Sequence, residues 1–238
     1  MNQILDLFEK AKTLQLRGKW REAERIYQEI IKMNKYLPGI FSGLGEINLR
    51  FNKPSQAEKN FLKEIQKGNQ NSRIYQYLSI SLILQGKWEE ALQNLERALS
   101  LDPKDYRPYI WMGYIYLQKG EIDKAILWLE LAGEELDTLS LHLYLLEAYR
   151  KKGLTYKVRE EIPKIEERIS SLRNLFSCQR LVKFVEAKLQ FLKGEMGKAV
   201  ESLKSLKREL TLSPRIYEGG VIFSKEEIED ILSSLPWR

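Results

Sequence analysis

Between Ser72 and Pro103 the apolar positions follow one helical period, break at a glycine, and resume. Tyr75, Leu78, Ser79 and Leu82 fall three, one and three residues apart, which places three large side chains and one small one on a single helix face. Gly86 ends that helix. Ala91, Leu95 and Ala98 then recur at spacings of four and three on a second helix, which Asp102 and Pro103 stop. Two helices that cross at a small residue bury too little surface to stand alone, so the pattern predicts stacked neighbours.

The neighbours repeat in phase. Ala23, Ala57, Ala91 and Ala125 are each 34 residues apart, and Gly18, Gly86, Gly120 and Gly153 mark the turns at separations of 68, 34 and 33. Asn52 fills the turn slot between Gly18 and Gly86, and asparagine also tolerates a left-handed backbone. One copy carries Phe41, Leu44, Gly45, Ala57 and Phe61; another carries Tyr109, Met112, Gly113, Tyr116, Ala125 and Leu129. In this the chain resembles the tetratricopeptide repeat family, whose pattern runs from an aromatic through leucine, glycine and tyrosine to a later alanine. The resemblance implies an all-α fold, a right-handed α-solenoid of stacked antiparallel helix pairs.

Five repeats are expected across residues 1–169, at about 4–37, 38–71, 72–105, 106–138 and 139–169. The fifth departs from the pattern, with Val158 in place of the small alanine and Pro163 inside the second helix, where a bend is expected near Ile162. Residues 170–210 read as a basic, divergent sixth hairpin in which Val182, Val185, Leu189 and Leu192 form the better apolar face, one residue out of step. Residues 211–238 read as an irregular linker, with Ser213, Pro214, Gly219 and Gly220 and the stretch YEGGVIF extended, and a C-terminal helix opened by a Ser224/Glu227 capping box. Ile228, Ile231, Leu232 and Leu235 give that helix an apolar stripe, expected to cap the sixth hairpin; the competing location is a groove of its own or a neighbouring molecule.

Composition narrows the chemistry. Across 238 residues the net charge is +6, and residues 170–210 hold nine Lys or Arg against four Glu, a surplus of five. The earlier repeats are near balance, which argues against a continuous basic groove for nucleic acid. No apolar run reaches membrane-spanning length, no secretory signal opens the chain, and the one cysteine, Cys178, forms no internal disulfide. A cytoplasmic protein, monomeric or weakly self-associating, is expected. His142 is the only histidine and stands where the repeat packs a large side chain. Nothing has the spacing of a metal site, a catalytic dyad or a phosphate loop, so no enzyme and no cofactor is expected.

In proteins of the resembled family the first helix of each repeat lines a concave groove. Carried over by position, the groove residues are Phe8, Lys12, Glu46, Arg73, Gln76, Ile80, Ile83, Arg107, Ile110, Tyr114, Leu117, Leu143 and Glu147. Ile80, Ile83, Ile110, Tyr114, Leu117 and Leu143 are expected to form an exposed apolar strip for a peptide or helix. The family's two-carboxylate clamp is absent, since its paired positions hold Phe8 with Lys12 and Gln76 with Ile80. The resemblance therefore implies a protein-binding adaptor. An alternative from another class is a basic surface around Arg173, Arg180, Lys183 and Lys188 that engages nucleic acid or an anionic membrane.

Overall fold

Six turns organise the chain, and each carries one residue with positive φ: Gly18, Asn52, Gly86, Gly120, Gly153 and Gly194, with Asn52 at φ 54°. Asn52 is the only non-glycine among them, as its short polar side chain permits. The computed structural model describes residues 2–33, 37–175, 178–210, 215–218 and 220–233. Around the turns stand six helical hairpins: α1 (Asn2–Leu16) with α2 (Trp20–Lys32), α3 (Ile40–Arg50) with α4 (Pro54–Gln66), and α5 (Ser72–Leu84) with α6 (Trp88–Leu101). They continue as α7 (Arg107–Gln118) with α8 (Ile122–Ala132), α9 (Leu139–Lys152) with α10 (Thr155–Ser170), and α11 (Gln179–Leu192) with α12 (Met196–Glu209).

The chain divides into two compact units, Met1–Pro108 and Tyr109–Arg238. In the first, Ala11, Ala23, Tyr27, Ile30, Ile40, Leu44 and Ile47 form one core cluster. The repeat's small positions are places of close approach. A Cβ on Gly43 would lie 2.5 Å from Tyr27 Cζ, and one on Gly45 would lie 2.5 Å from Phe61 Cζ. The Glu64 carboxylate, fully buried, accepts from the backbone N–H groups of Gly39 (2.6 Å), Phe41 (2.9 Å) and Ser42 (3.1 Å), and from Asn69 Nδ2 (2.7 Å). It thereby satisfies amides at the start of α3 that have no partner within that helix.

The second unit repeats the close approach at Gly113, where a Cβ would lie 2.5 Å from Leu129 Cγ. His142 is buried, with Nδ1 2.7 Å from Glu161 Oε2 and Nε2 2.6 Å from Asp137 Oδ1, a structural clasp joining α9 to α10 and to the segment before α9. Helix α10 runs through Pro163 to Ser170. In α11 Val182, Val185 and Leu189 are buried, as the shifted register predicts, but so are Phe184 and Lys188.

The stretch expected to be extended falls within a pair of strands. Strands β1 (Arg215–Glu218) and β2 (Val221–Ser224) pair antiparallel, Ile216 opposite Phe223 and Tyr217 opposite Ile222, before α13 (Lys225–Ser233). The turn residues Ser213, Pro214 and Gly219, and Leu235 of the expected stripe, lie outside the described residues. Ser224 Oγ accepts from Glu227 N at 3.0 Å, so the cap forms, but the Glu227 carboxylate pairs with Lys188.

Candidate functional site

The first helices of the hairpins carry the groove positions, and the two units treat them differently. In the first unit α1, α3 and α5 border an open pocket of about 380 Å³, and Phe8, Lys12, Glu46 and Arg73 line it together. Phe8 meets Tyr27 edge-on at 5.9 Å, and the Lys12 ammonium stands 5.4 Å from the Phe8 ring. Arg73 Nη2 donates to Glu46 Oε1 at 3.3 Å and to Tyr77 Oη at 3.4 Å. Burial raises the Glu46 carboxyl above its ordinary range, and the Arg73 guanidinium only partly offsets it. Ser42, on the same wall, has a buried hydroxyl with no hydrogen-bond partner among the described residues. Phe8, Tyr27 and Tyr77 thus give the pocket an aromatic wall, and Lys12, Arg73 and Glu46 add charges of both signs to its lining.

Two further polar groove positions of this unit are occupied by their own chain. Gln76 donates to Ser72 Oγ (2.9 Å) and to the Asp105 carboxylate, which also takes a two-pronged contact from Arg107 at 2.8 and 2.7 Å. Burial opposes the Asp105 charge, yet these hydrogen bonds hold its carboxyl below the ordinary range.

The expected exposed strip is not exposed. Ile80, Ile83, Ile110, Tyr114, Leu117 and Leu143 are all at most 4% accessible. Helix α5 buries ten of its thirteen residues, so its groove-facing positions have no free side left. In the second unit the cover includes the tail. Tyr144 Oη accepts from Ile222 N at 2.7 Å and donates to Ile222 O at 3.3 Å, and Phe184 stacks on Phe223 at 4.9 Å. Tyr114 stands 4.8 Å from the Tyr144 ring and lines, with Leu117 and Glu147, a small cavity of about 90 Å³ closed by Ser224, Glu226 and Glu227. Glu147, expected as a groove residue, is buried in an ion cluster: Lys188 Nζ lies 2.9 Å from it and 2.6 Å from Glu227, while Arg150 Nη2 reaches Glu147 at 2.6 Å.

The same contact removes Lys188 from the expected basic patch, because its side chain is 4% accessible. Other charges of the segment are neutralised where they stand. Arg173 pairs with Glu186 (2.8 Å), Lys183 with Glu209 (3.0 Å) and Lys207 with Glu229 (2.9 Å). Arg180 is partly buried. Among the described residues no group of His, Cys, Asp or Glu is placed to hold a metal ion, and no helix is long and apolar enough to cross a membrane.

Known proteins agree with this architecture. The tetratricopeptide repeat model matches residues 82–147. The Homo sapiens protein O-mannosyl-transferase TMTC3 is 29% identical over 102 residues, 42% of this chain but 11% of that protein, so the chain spans a small part of its length. Among solved structures, Pseudomonas aeruginosa pilF superposes with a TM-score of 0.62 at 15% identity, covering 98% of this chain and 97% of that one. YrrB, described as a TPR protein with an unusual peptide-binding site, superposes with a TM-score of 0.51 at 18% identity, covering 68% of this chain and 84% of its own. With in-phase helical hairpins, left-handed turn residues and close packing at the small positions, the chain has the helical-repeat fold of these proteins and is similar over residues 82–147 to the tetratricopeptide repeat family.

Proposed function

We propose that this protein is a non-enzymatic interaction scaffold that takes a peptide segment on the concave side of its first unit. The observation that carries the proposal is the open pocket where Phe8, Lys12, Glu46 and Arg73 converge. Its aromatic wall suits an apolar side chain, and its mixed charges suit the polar flanks of an extended segment. A protein whose fold is similar, YrrB, is described as having a peptide-binding site, which supports the same use of this fold here. The anionic-surface alternative has less support, since Lys188 is buried and Arg173 and Lys183 are paired.

The test is selection from a displayed library of random twelve-residue peptides, followed by affinity measurement on variants. Ser42→Arg fills the pocket mouth from a partly exposed position, and Lys12→Glu reverses an exposed charge. Each is expected to weaken selected peptides tenfold or more at an unchanged melting temperature. Peptides that bind both variants as well as wild type would place the site elsewhere.

A further inference from the structure

The tail lies on the second unit as a ligand lies in a groove. Its contacts come from three first helices: Trp111 on α7, Tyr144 on α9, and Phe184 and Lys188 on α11. Phe184 and Lys188 are four residues apart, on one helical face. The Tyr144 hydroxyl reads both backbone groups of Ile222, a contact that depends on an extended main chain and not on its side chain. Trp111 and Phe184 take the rings of Tyr217 and Phe223. The charges are complementary as well: Lys188 and Arg150 face Glu147 alone until the tail brings the Glu227 carboxylate.

We propose that this face is a peptide-binding site occupied in cis by residues 215–233, and that the occupant closes it to outside segments of the same chemistry, an aliphatic-aromatic strand followed by a helix acidic in its first turn. The construction permits exchange. Strands β1 and β2 satisfy each other's backbone groups, so the hairpin can leave as a unit. When it leaves, Lys188 keeps Glu147 as its counter-ion, and no buried charge is stranded. The tether supplies a high effective concentration, which keeps the site closed at rest.

A specific protease sequence inserted between Leu210 and Arg215 allows the folded, full-length protein to be cut with both pieces present. Fluorescein-labelled synthetic peptide 215–233 is then added, and anisotropy and helical circular dichroism are followed together. The cut protein is expected to take up the labelled peptide saturably, with helix signal retained, and the uncut protein to bind it at least ~100-fold more weakly. Tyr144→Phe in the cut protein is expected to weaken uptake tenfold or more, which a nonspecific apolar contact would not show. Loss of helix signal on release of the fragment, or a retained fragment that does not exchange over days, would overturn the proposal and identify the tail as permanent core. The first unit's pocket plays no part in this measurement, so its outcome is separate from that of the functional proposal.

Discussion

At the scale of single residues, Glu64 does more than any other polar group to set how α3 begins. One buried carboxylate meets three backbone amides, where the helix's positive end also favours an anion. Glu64→Ala leaves those donors buried without an acceptor, and a loss of roughly 3 kcal/mol or more is expected in urea unfolding. Gly43, Gly45 and Gly113 act by absence of volume instead. Alanine at any of them places a carbon about 2.5 Å from Tyr27, Phe61 or Leu129. Each is expected to cost about 1–3 kcal/mol through overpacking, read as a lowered melting temperature. Gly45 and Gly113 were legible as the glycines of the repeat pattern, facing Phe61 and Leu129; Gly43, which faces Tyr27 of the preceding hairpin, was not. Glu64 was not legible, since an acidic residue late in a helix carries no sign that it will cap another.

At the scale of elements, the even-numbered helices show their burial in the sequence and the odd-numbered ones hide it. Helix α6 buries Ala91, Leu95 and Ala98 along one stripe, the period that located it. Helix α9 buries an almost continuous run from Leu141 to Tyr149, so its sequence does not separate a packed side from a groove side. That is why an apolar strip expected at the surface proves to be covered. Charge at these positions should therefore act on folding and not only on binding: Ile80→Asp is expected to cost roughly 3 kcal/mol or more by burying an unpaired carboxylate, visible as a lower melting temperature. The β-hairpin was legible only as an extended stretch, although two short apolar runs, RIYE and VIFS, stand around Gly219 and Gly220. Four-residue strands are too short to show alternation clearly, and β2 is buried at all four positions. The C-terminal helix was legible, and Ile228 and Ile231 are buried as its stripe predicts. Its neighbours include α12, through Lys207 and Glu229, while the strand before it lies on α9.

At the scale of the whole molecule, the ion cluster under the tail should shape how stability depends on pH, and its two carboxylates act in opposite directions. Burial disfavours the charge on Glu147, but the Lys188 ammonium and the Arg150 guanidinium outweigh it and lower its carboxyl from 4.5 to about 2. A depressed carboxyl contributes stability above its unfolded value and loses it as pH falls, here between about 4.5 and about 2. Glu227 is the reverse case: burial raises its carboxyl above 4.5, and Lys188 compensates only in part. Its folded form binds a proton more readily than its unfolded form, so stability rises as pH falls from neutral toward that range. Together they predict a stability maximum on the acid side of neutrality. Glu227→Gln should flatten the rise below neutral pH, because the proton uptake that drives it is gone. Glu147→Gln should destabilise at neutral pH by up to about 3 kcal/mol, with the deficit closing as pH falls toward 2, where the wild-type carboxyl is itself protonated. Urea midpoints measured from pH 8 to pH 2 on the three proteins decide it: parallel curves for wild type and Glu147→Gln would show that the cluster carries no net linkage to folding.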